Sequence, residues 1–222
     1  MKAPKITPAI EDYLKAICVL QEETQPVIAA KVATEMGVSA STMFSALRRL
    51  EREGYVRVER RKEIHLTPKG KRVAEGILRK HFLTERLLTD LLGLDWVKAH
   101  QEAHRLEHAI SSEVEERLDK LLNHPTTCPH GNPIPGSASA QARHRSAPLH
   151  SVPAGREVVL ECITEGGERD ARLLAFMQEH RLQPGTRLQV VESSPTLGTM
   201  SVKVGDNIVT LGLEAAKKIR VQ

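Results

Sequence analysis

The sequence predicts a mainly α-helical chain that closes with a small β-domain, and three observations carry that prediction. Apolar residues recur at helical spacing through most of the first 122 positions. A stretch rich in Pro, Ser, Ala and Gly, PTTCPHGNPIPGSASAQARHRSAPLHSVP, then interrupts the pattern with linker composition. Beyond it the apolar residues alternate, as in half-buried strands. A chain of 222 residues has room for about two or three small domains. Aromatic residues make up only 3% of it, so its cores must be aliphatic.

Leu14, Ile17 and Leu20 mark an opening helix with Asp12 in its first turn. A short second helix follows over 27–36, with Ile28, Val32 and Met36 on one face, and Gly37 breaks it. Val38-Ser39 leads into a third helix in which Met43, Leu47 and Leu50 repeat at i, i+4 and i+7. Its outward face offers Ser41, Thr42, Ser45, Arg48 and Arg52, and Gly54 ends it. YVRVERRKEIHLTP alternates as two strands around a basic turn, Arg60-Arg61-Lys62. Helix, short helix, tight turn, helix and hairpin make a winged helix-turn-helix over residues 1–73. Such a fold places its third helix in the major groove of double-stranded DNA and its wing on the backbone.

Charge supports that assignment. Residues 1–75 hold 14 Lys/Arg against 10 Asp/Glu, while 76–147 and 148–222 each balance at nine of either sign. Within the excess, residues 43–72 carry ten basic and four acidic groups, the footprint of a phosphate-binding face. The expected DNA contacts are Ser39, Ser41, Thr42, Ser45, Arg48 and Arg49 on the third helix. Arg60, Arg61 and Lys62 are expected on phosphates.

Residues 74–126 read as a helical pair. Leu83, Leu87, Leu88, Leu91 and Leu92 mark one helix ending near Gly93, and Leu106, Ile110, Val114, Leu118 and Leu121 mark another over 97–122. Two helices cannot bury so many leucines alone, so a homodimer interface is expected here. Residues 127–152 form the linker. The β-domain covers 153–222, with strands at Val158-Leu160-Cys162, Leu188-Val190 and Met200-Val202-Val204, a helix over Ala171–Glu179, and a turn at Gly205-Asp206-Asn207. No apolar run is long enough to span a bilayer and no signal-peptide pattern follows Met1. Three cysteines, Cys18, Cys128 and Cys162, offer no disulfide framework, and a reducing cytoplasm is the expected compartment.

The second of the paired helices carries the chemistry. His100, His104, Glu107 and His108 fall within about 100° of its circumference, so two or more can close on one divalent ion. His81 and Glu85, at i and i+4 on the preceding helix, could form a second group with His100.

ITPAIEDYLKAI, GVSASTMFSALRRLEREGYV, RKHFLTERLLTDLLGLD and HRLEH, in that order, resemble the diphtheria-toxin-repressor family, which includes the manganese transport regulators. The resemblance runs through residues 5–124 and more weakly through an FeoA-like small β-barrel at 153–222. It implies a metal-activated, dimeric, DNA-binding repressor of metal uptake and homeostasis genes. It also implies a regulatory metal site at Asp12, His104, Glu107 and His108, and an ancillary site at His81, Glu85 and His100. Cys128 and His130, in TCPHG, resemble a secondary site completed by Glu85 and Asp170. Asp12 stands where iron-responding members have methionine, and His104 where they have cysteine. Lys15 stands where some manganese members have a bridging glutamate. The regulatory donors are oxygens and imidazoles, which suits Mn²⁺, narrowly favoured, or Fe²⁺; Zn²⁺, Co²⁺ or Ni²⁺ would bind in vitro.

Two rival readings stand beside this one. His104-Arg-Leu-Glu107-His108 matches the H-x-x-E-H motif of zinc peptidases, but no substrate cleft is evident and an enzyme would not need Asp12 or a basic wing. Cys18 or Cys128 could instead make the chain a redox-sensing winged-helix regulator.

Overall fold

The structure, a computed structural model, describes residues 6–59, 62–137 and 146–222. The chain divides into two compact units, Met1–Lys80 and His81–Gln222.

The first unit is a winged helix-turn-helix. Helix α1 (Pro8–Glu23) starts on a proline, whose missing N–H costs nothing at that position. It buries Ile10, Leu14 and Ile17. Helix α2 (Ala29–Met36) stops at Gly37, whose left-handed backbone lets its N–H return to Ala33. Helix α3 (Ala40–Arg52) is capped by Ser39, whose Oγ accepts from the Thr42 N–H at 3.2 Å. The expected sidedness holds: Met43, Leu47 and Leu50 are buried, while Ser41, Thr42, Ser45, Arg48 and Arg49 face outward. Strands β1 (Val56–Val58) and β2 (Ile64–Leu66) pair antiparallel, Val56 opposite Leu66. The Ile64 N–H donates to Val27 O at 2.8 Å and pins the hairpin to the start of α2. Helix α4 (Pro68–Arg86) runs through the expected boundary at 73/74 without a break, because nothing in GKRVAEGILRKHF stops a helix. Its Gly70 is obligatory, since a Cβ there would clash with the Tyr55 carbonyl.

In the second unit a single π-helical turn (Leu87–Leu91) follows α4, and Gly93 turns the chain at φ 69°. The helix expected over 97–122 is two helices, α5 (Trp96–Leu106) and α6 (Ser112–Leu121). Ser111 caps the second, accepting from the Val114 N–H at 3.3 Å, with Glu113 and Glu115 in the first turn. Those are strong start signals inside a continuous apolar period, and they win.

The C-terminal part holds a six-stranded antiparallel sheet. Its strands are β3 (Ala147–Pro148), β4 (Glu157–Ile163), β5 (Arg187–Ser194), β6 (Thr199–Val204), β7 (Asn207–Gly212) and β8 (Ile219–Val221). The spatial order is β3-β8-β4-β5-β6-β7, with bulges in β4 and β5 that bend it. Among the described residues no ladder joins β3 to β7. Helices α7 (Glu165–Glu168), α8 (Ala171–Glu179) and α9 (Leu213–Lys217) complete it. Leu160, Ile163, Leu174, Met177, Val190, Val202 and Ile219 form its core. Trp96 and Val97 of α5 pack against that core, and the Trp96 N–H donates to Gln178 Oε1 at 2.9 Å. The β-domain is therefore docked on the helices of its own unit. No helix among the described residues is long and apolar enough to cross a membrane.

Of the linker expected at 127–152, residues 138–145 lie outside the described residues, and the part described before them is a folded loop. Cys128, His130 and Ile134 are fully buried, and β3 begins at Ala147. Proline and glycine serve here to fold a tight loop.

Candidate metal centre

Four segments of the second unit converge on one buried cluster. The last turns of α4 supply His81 and Glu85, one helical turn apart on the same face. Helix α5 supplies His100, the loop after α6 supplies Cys128 and His130, and α7 supplies Glu168. His81, Glu85, Cys128, His130 and Glu168 have no solvent exposure beyond 1%, and His100 is nearly buried.

Local sequence explains how the last two segments reach in. In TCPHGN the Cys128 N–H donates to Asn132 O at 2.8 Å, and the Gly131 N–H to Cys128 O at 3.0 Å. Gly131 takes φ 95°, and a Cβ there would strike the Glu161 backbone, so only glycine lets this loop lie against β4. Arg86 straps the loop to α4, donating to Thr127 O at 2.8 Å and Cys128 O at 3.2 Å. Helix α7 is one turn, T-E-G-G-E, capped by Thr164. Its Gly167 sits against Ile163 and Lys218 where a Cβ would not fit, and this close approach drives Glu168 inward.

The distances define the chemistry. His81 Nε2 lies 3.1 Å from Glu85 Oε1 and 3.3 Å from His100 Nδ1. His100 Nδ1 lies 2.9 Å from Glu85 Oε1 and 3.5 Å from Glu168 Oε2. His130 Nδ1 lies 3.4 Å from Glu85 Oε2 and 3.2 Å from Glu168 Oε1, with Cys128 Sγ 3.5 Å from the latter oxygen. Burial alone would raise the Glu85 pKa, but His130, His81 and His100 hold it well below the ordinary carboxylate value. Burial would lower the His100 pKa; Glu168 and Glu85 override it and lift it to about 10. The same carboxylates lift His130 against its burial. Burial and the charge of Glu168 push the Cys128 thiol up.

These residues fit a divalent cation. Glu85 Oε2, Glu168 Oε2 and His130 Nε2 are buried without a hydrogen-bond partner, a costly condition for polar atoms unless a ligand satisfies them. A divalent ion in place of two imidazolium protons would leave the net charge unchanged.

A second group adjoins the first. Glu107, the C-cap of α5, is fully buried. Its Oε2 is 2.6 Å from His81 Nδ1, and its Oε1 is 3.2 Å from His104 Nδ1 and 3.6 Å from His108 Nε2. His104 is 59% exposed and His108 lies in the turn after α5, so the ligand stripe read along one helix is really a helix end folding back. Asp12 belongs to the first unit, half-buried on α1.

Asp170 is a correction. Its Oδ1 caps α8, accepting from the Arg172 and Leu173 N–H groups at 3.2 Å each, and its Oδ2 accepts from Lys218 Nζ at 3.2 Å. A carboxylate so engaged, with its pKa lowered by those donors against its burial, stands apart from the cluster. Glu168, two residues earlier, occupies the place expected for it. Asp170→Ala is expected to leave metal binding intact and to destabilise the fold by about 1 kcal/mol through the lost cap. Glu168→Ala is expected to cost metal affinity at least tenfold. Isothermal titration and thermal melts of the two variants check this, and the reverse ranking would refute the assignment.

Of the expected DNA contacts, Thr42 and Arg48 are exposed on α3, and Arg48 lies 5.4 Å from the centre of the exposed Phe44 ring. Ser39 serves as the cap, Ser45 Oγ donates to Ser41 O at 3.0 Å, and Arg49 is paired with Glu53 at 2.8 Å. Lys62 is exposed at the wing, with its backbone N–H donating to Glu59 O at 2.8 Å. Arg60 and Arg61 lie outside the described residues.

Sequence reasoning missed Glu168, Arg86 and Asn132, whose side-chain amide donates to Ile163 O at 2.7 Å and to Glu168 Oε1. The available signal was that Asp170 precedes a helical run and so reads as a cap.

Comparison with known proteins agrees with this organisation. Residues 5–64 match the model of the iron-dependent repressor N-terminal DNA-binding domain. Residues 67–136 match that of the iron-dependent repressor metal-binding and dimerisation domain, and 147–222 the FeoA domain. The chain is 38% identical over 222 aligned residues to the iron-dependent repressor IdeR of Mycobacterium leprae, covering 96% of each chain. It is 44% identical over 126 residues to the diphtheria toxin repressor of Corynebacterium diphtheriae, which spans 57% of this chain and 56% of that one. Among solved structures, a manganese-dependent transcriptional repressor in complex with manganese superposes with TM-score 0.86 at 33% identity, covering 96% of this chain and 98% of that one. The manganese regulator SloR does so with TM-score 0.79 at 29% identity, over 98% and 99%. A winged helix, a metal-binding and dimerisation segment and an FeoA domain in this order, with that identity over nearly the whole length, make the chain a member of the diphtheria-toxin-repressor family of metal-dependent transcriptional repressors.

Proposed function

We propose that this protein is a cytoplasmic, homodimeric repressor that binds its operator when loaded with Mn²⁺ or Fe²⁺, and that it governs metal uptake or homeostasis genes. The observation that carries the reading is the Glu107 carboxylate, buried and shared between His81 on one side and His104 and His108 on the other. With Asp12, assigned on sequence resemblance, Glu107, His104 and His108 make the regulatory set. Two carboxylates and two imidazoles suit Mn²⁺ or Fe²⁺, and Mn²⁺ is favoured. Zn²⁺, Co²⁺ and Ni²⁺ would compete in vitro on raw affinity.

When bound, the ion supplies a multivalent positive centre that holds these carboxylates and imidazoles together. Asp12 contributes from the DNA-binding unit, so metal binding and operator binding would draw on one conformational equilibrium. Each would then raise affinity for the other by the same factor. His81 Nδ1 on Glu107 fixes the tautomer that presents Nε2 to the buried cluster, the usual carboxylate–histidine–metal arrangement. That contact also speaks against the peptidase reading, because the glutamate that would act as base is already committed. Cys18, Cys128 and Cys162 are all buried and none is disulfide-bonded, which disfavours redox sensing.

The test is a titration of operator binding, using the DNA upstream of the protein's own coding region, against Mn²⁺, Fe²⁺, Co²⁺ and Zn²⁺. Operator affinity is expected to rise at least tenfold with Mn²⁺ or Fe²⁺ and to fall back with chelator. In Asp12→Ala protein the rise should vanish. Metal-independent binding, or an Asp12→Ala protein that responds normally, would refute the reading.

A further inference from the structure

We propose that Phe44 sets operator specificity by packing its exposed ring against the methyl group of a thymine, while Arg48, stacked on that ring, reads a guanine close by. The inference rests on the operator-binding reading above and names what helix α3 recognises.

Among the described residues of the first unit, Phe44 is the one large apolar side chain that is exposed, at 58%. The other phenylalanines of the chain, Phe82 and Phe176, are buried or half-buried. The core stripe of α3, Met43, Leu47 and Leu50, is complete without it. Phe44 lies instead with Ser41 and Arg48, at i−3 and i+4, on the outward side of a helix within the stretch matched to the DNA-binding domain. The Arg48 guanidinium carbon sits over the ring, 5.4 Å from its centre. A guanidinium stacked on a ring keeps its N–H edge available for hydrogen bonds in its own plane.

The polar residues of the same face are engaged along the helix. Ser39 Oγ lies 2.9 Å from both Ser41 Oγ and Thr42 Oγ1, Ser45 Oγ donates to Ser41 O at 3.0 Å, and Arg49 pairs with Glu53 at 2.8 Å. Over residues 40–49, Phe44 and Arg48 then present the broadest surface open to a ligand. In the major groove the thymine methyl is the apolar feature that a phenyl ring can cover, and guanine N7 and O6 are the acceptors that suit arginine. Successive base pairs are about 3.4 Å apart, so groups separated by 5.4 Å meet neighbouring pairs or pairs two steps apart. The favoured half-site therefore places a thymine within two steps of a guanine.

Full-length protein with saturating Mn²⁺ is titrated by fluorescence anisotropy against the operator footprinted in the DNA upstream of its own coding region. Each thymine of the footprint is replaced in turn by deoxyuridine, which removes only the methyl, and each guanine by deazaguanine, which lacks N7. At one thymine per half-site, uracil is expected to weaken wild-type binding about fourfold, the worth of one buried methyl. Phe44→Ala should bind the parent operator more weakly and lose that uracil effect, and Phe44→Leu should keep part of it. At a guanine within two steps, deazaguanine should cost the wild type at least about fivefold and Arg48→Ala nothing further. A wild type indifferent to uracil at every thymine overturns the proposal. So does a Phe44→Ala protein weakened equally on thymine and uracil operators, the mark of a sugar or phosphate contact. Deazaguanine that costs Arg48→Ala as much as the wild type overturns the guanine contact. Metal-dependent binding with no methyl effect tied to Phe44 sinks this inference alone, and a methyl effect tied to Phe44 that persists in chelator sinks the metal-dependent reading alone.

Discussion

Replacing Glu107 by alanine is expected to reduce operator binding at saturating Mn²⁺ to the level seen with chelator. Glu107 is the one described carboxylate that faces both ligand groups, with Oε2 on His81 and Oε1 towards His104 and His108. Its loss removes a carboxylate from the proposed regulatory set and the 2.6 Å hydrogen bond to His81 Nδ1 from a buried pocket. Truncating one member of a buried, hydrogen-bonded charged pair costs about 2–5 kcal/mol, or roughly 30- to several thousand-fold in a binding constant. Losing that buried hydrogen bond adds about 1–3 kcal/mol of destabilisation, so thermal melts must accompany the binding assay. Glu107→Gln separates the two effects. It keeps a hydrogen-bond acceptor for His81 and restores much of the stability, but offers the ion a neutral oxygen and so still fails to activate. A Glu107→Ala protein that responds normally to Mn²⁺ in fluorescence anisotropy with labelled operator would overturn the role assigned to this carboxylate.

Glu107 also shows how much of the molecule its sequence disclosed. The winged helix was legible because local and tertiary signals agree there. Ser39 caps, Gly37 stops, and Met43, Leu47 and Leu50 fall on one face of α3. Helix α8 was legible to the residue at Ala171–Glu179, although Asp170, which caps it, was read as a ligand. The histidines and glutamate that α4 and α5 bring together, His81, Glu85 and His100, were picked out by their spacing of four. What spacing could not show is direction. Along one unbroken helix, Glu107 would project sideways with His104; as the last residue before a turn it reaches back to α4 instead. Glu168 was hidden for another reason. It is delivered by a single helical turn whose shape depends on Gly167 fitting against Lys218, a contact between residues 51 apart in sequence that no local pattern encodes. The 126–137 loop reads as linker by composition although Cys128 and His130 within it were read as a possible secondary site, and its burial against β4 brings both residues to the cluster.

Charging the exposed leucines of the helical segment is the other change with a large expected effect. Leu92 is 61% and Leu121 63% exposed, and Leu91, Leu106 and Val114 are exposed as well. Large apolar side chains grouped within 87–121 are what an isologous interface requires, and this stretch lies within the match to the metal-binding and dimerisation domain. The Leu92→Glu/Leu121→Glu double variant is expected to fold, because substitutions at exposed positions usually change stability by no more than about 0.5 kcal/mol. It is expected to run as a monomer in light scattering at concentrations where the wild type is dimeric, since glutamates facing their symmetry mates lose apolar burial and repel. Operator binding should weaken with it. Two winged helices joined in a dimer engage two half-sites at a high effective concentration, and separating them forfeits roughly 10²–10⁴-fold of apparent affinity. Metal content should change far less, because the buried donors of His81, Glu85, His100, Cys128, His130 and Glu168 all come from one chain. Loss of dimerisation and tight DNA binding with metal retained would show that the ion and the partner subunit act on different surfaces. A double variant that remains dimeric would place the interface elsewhere on the molecule.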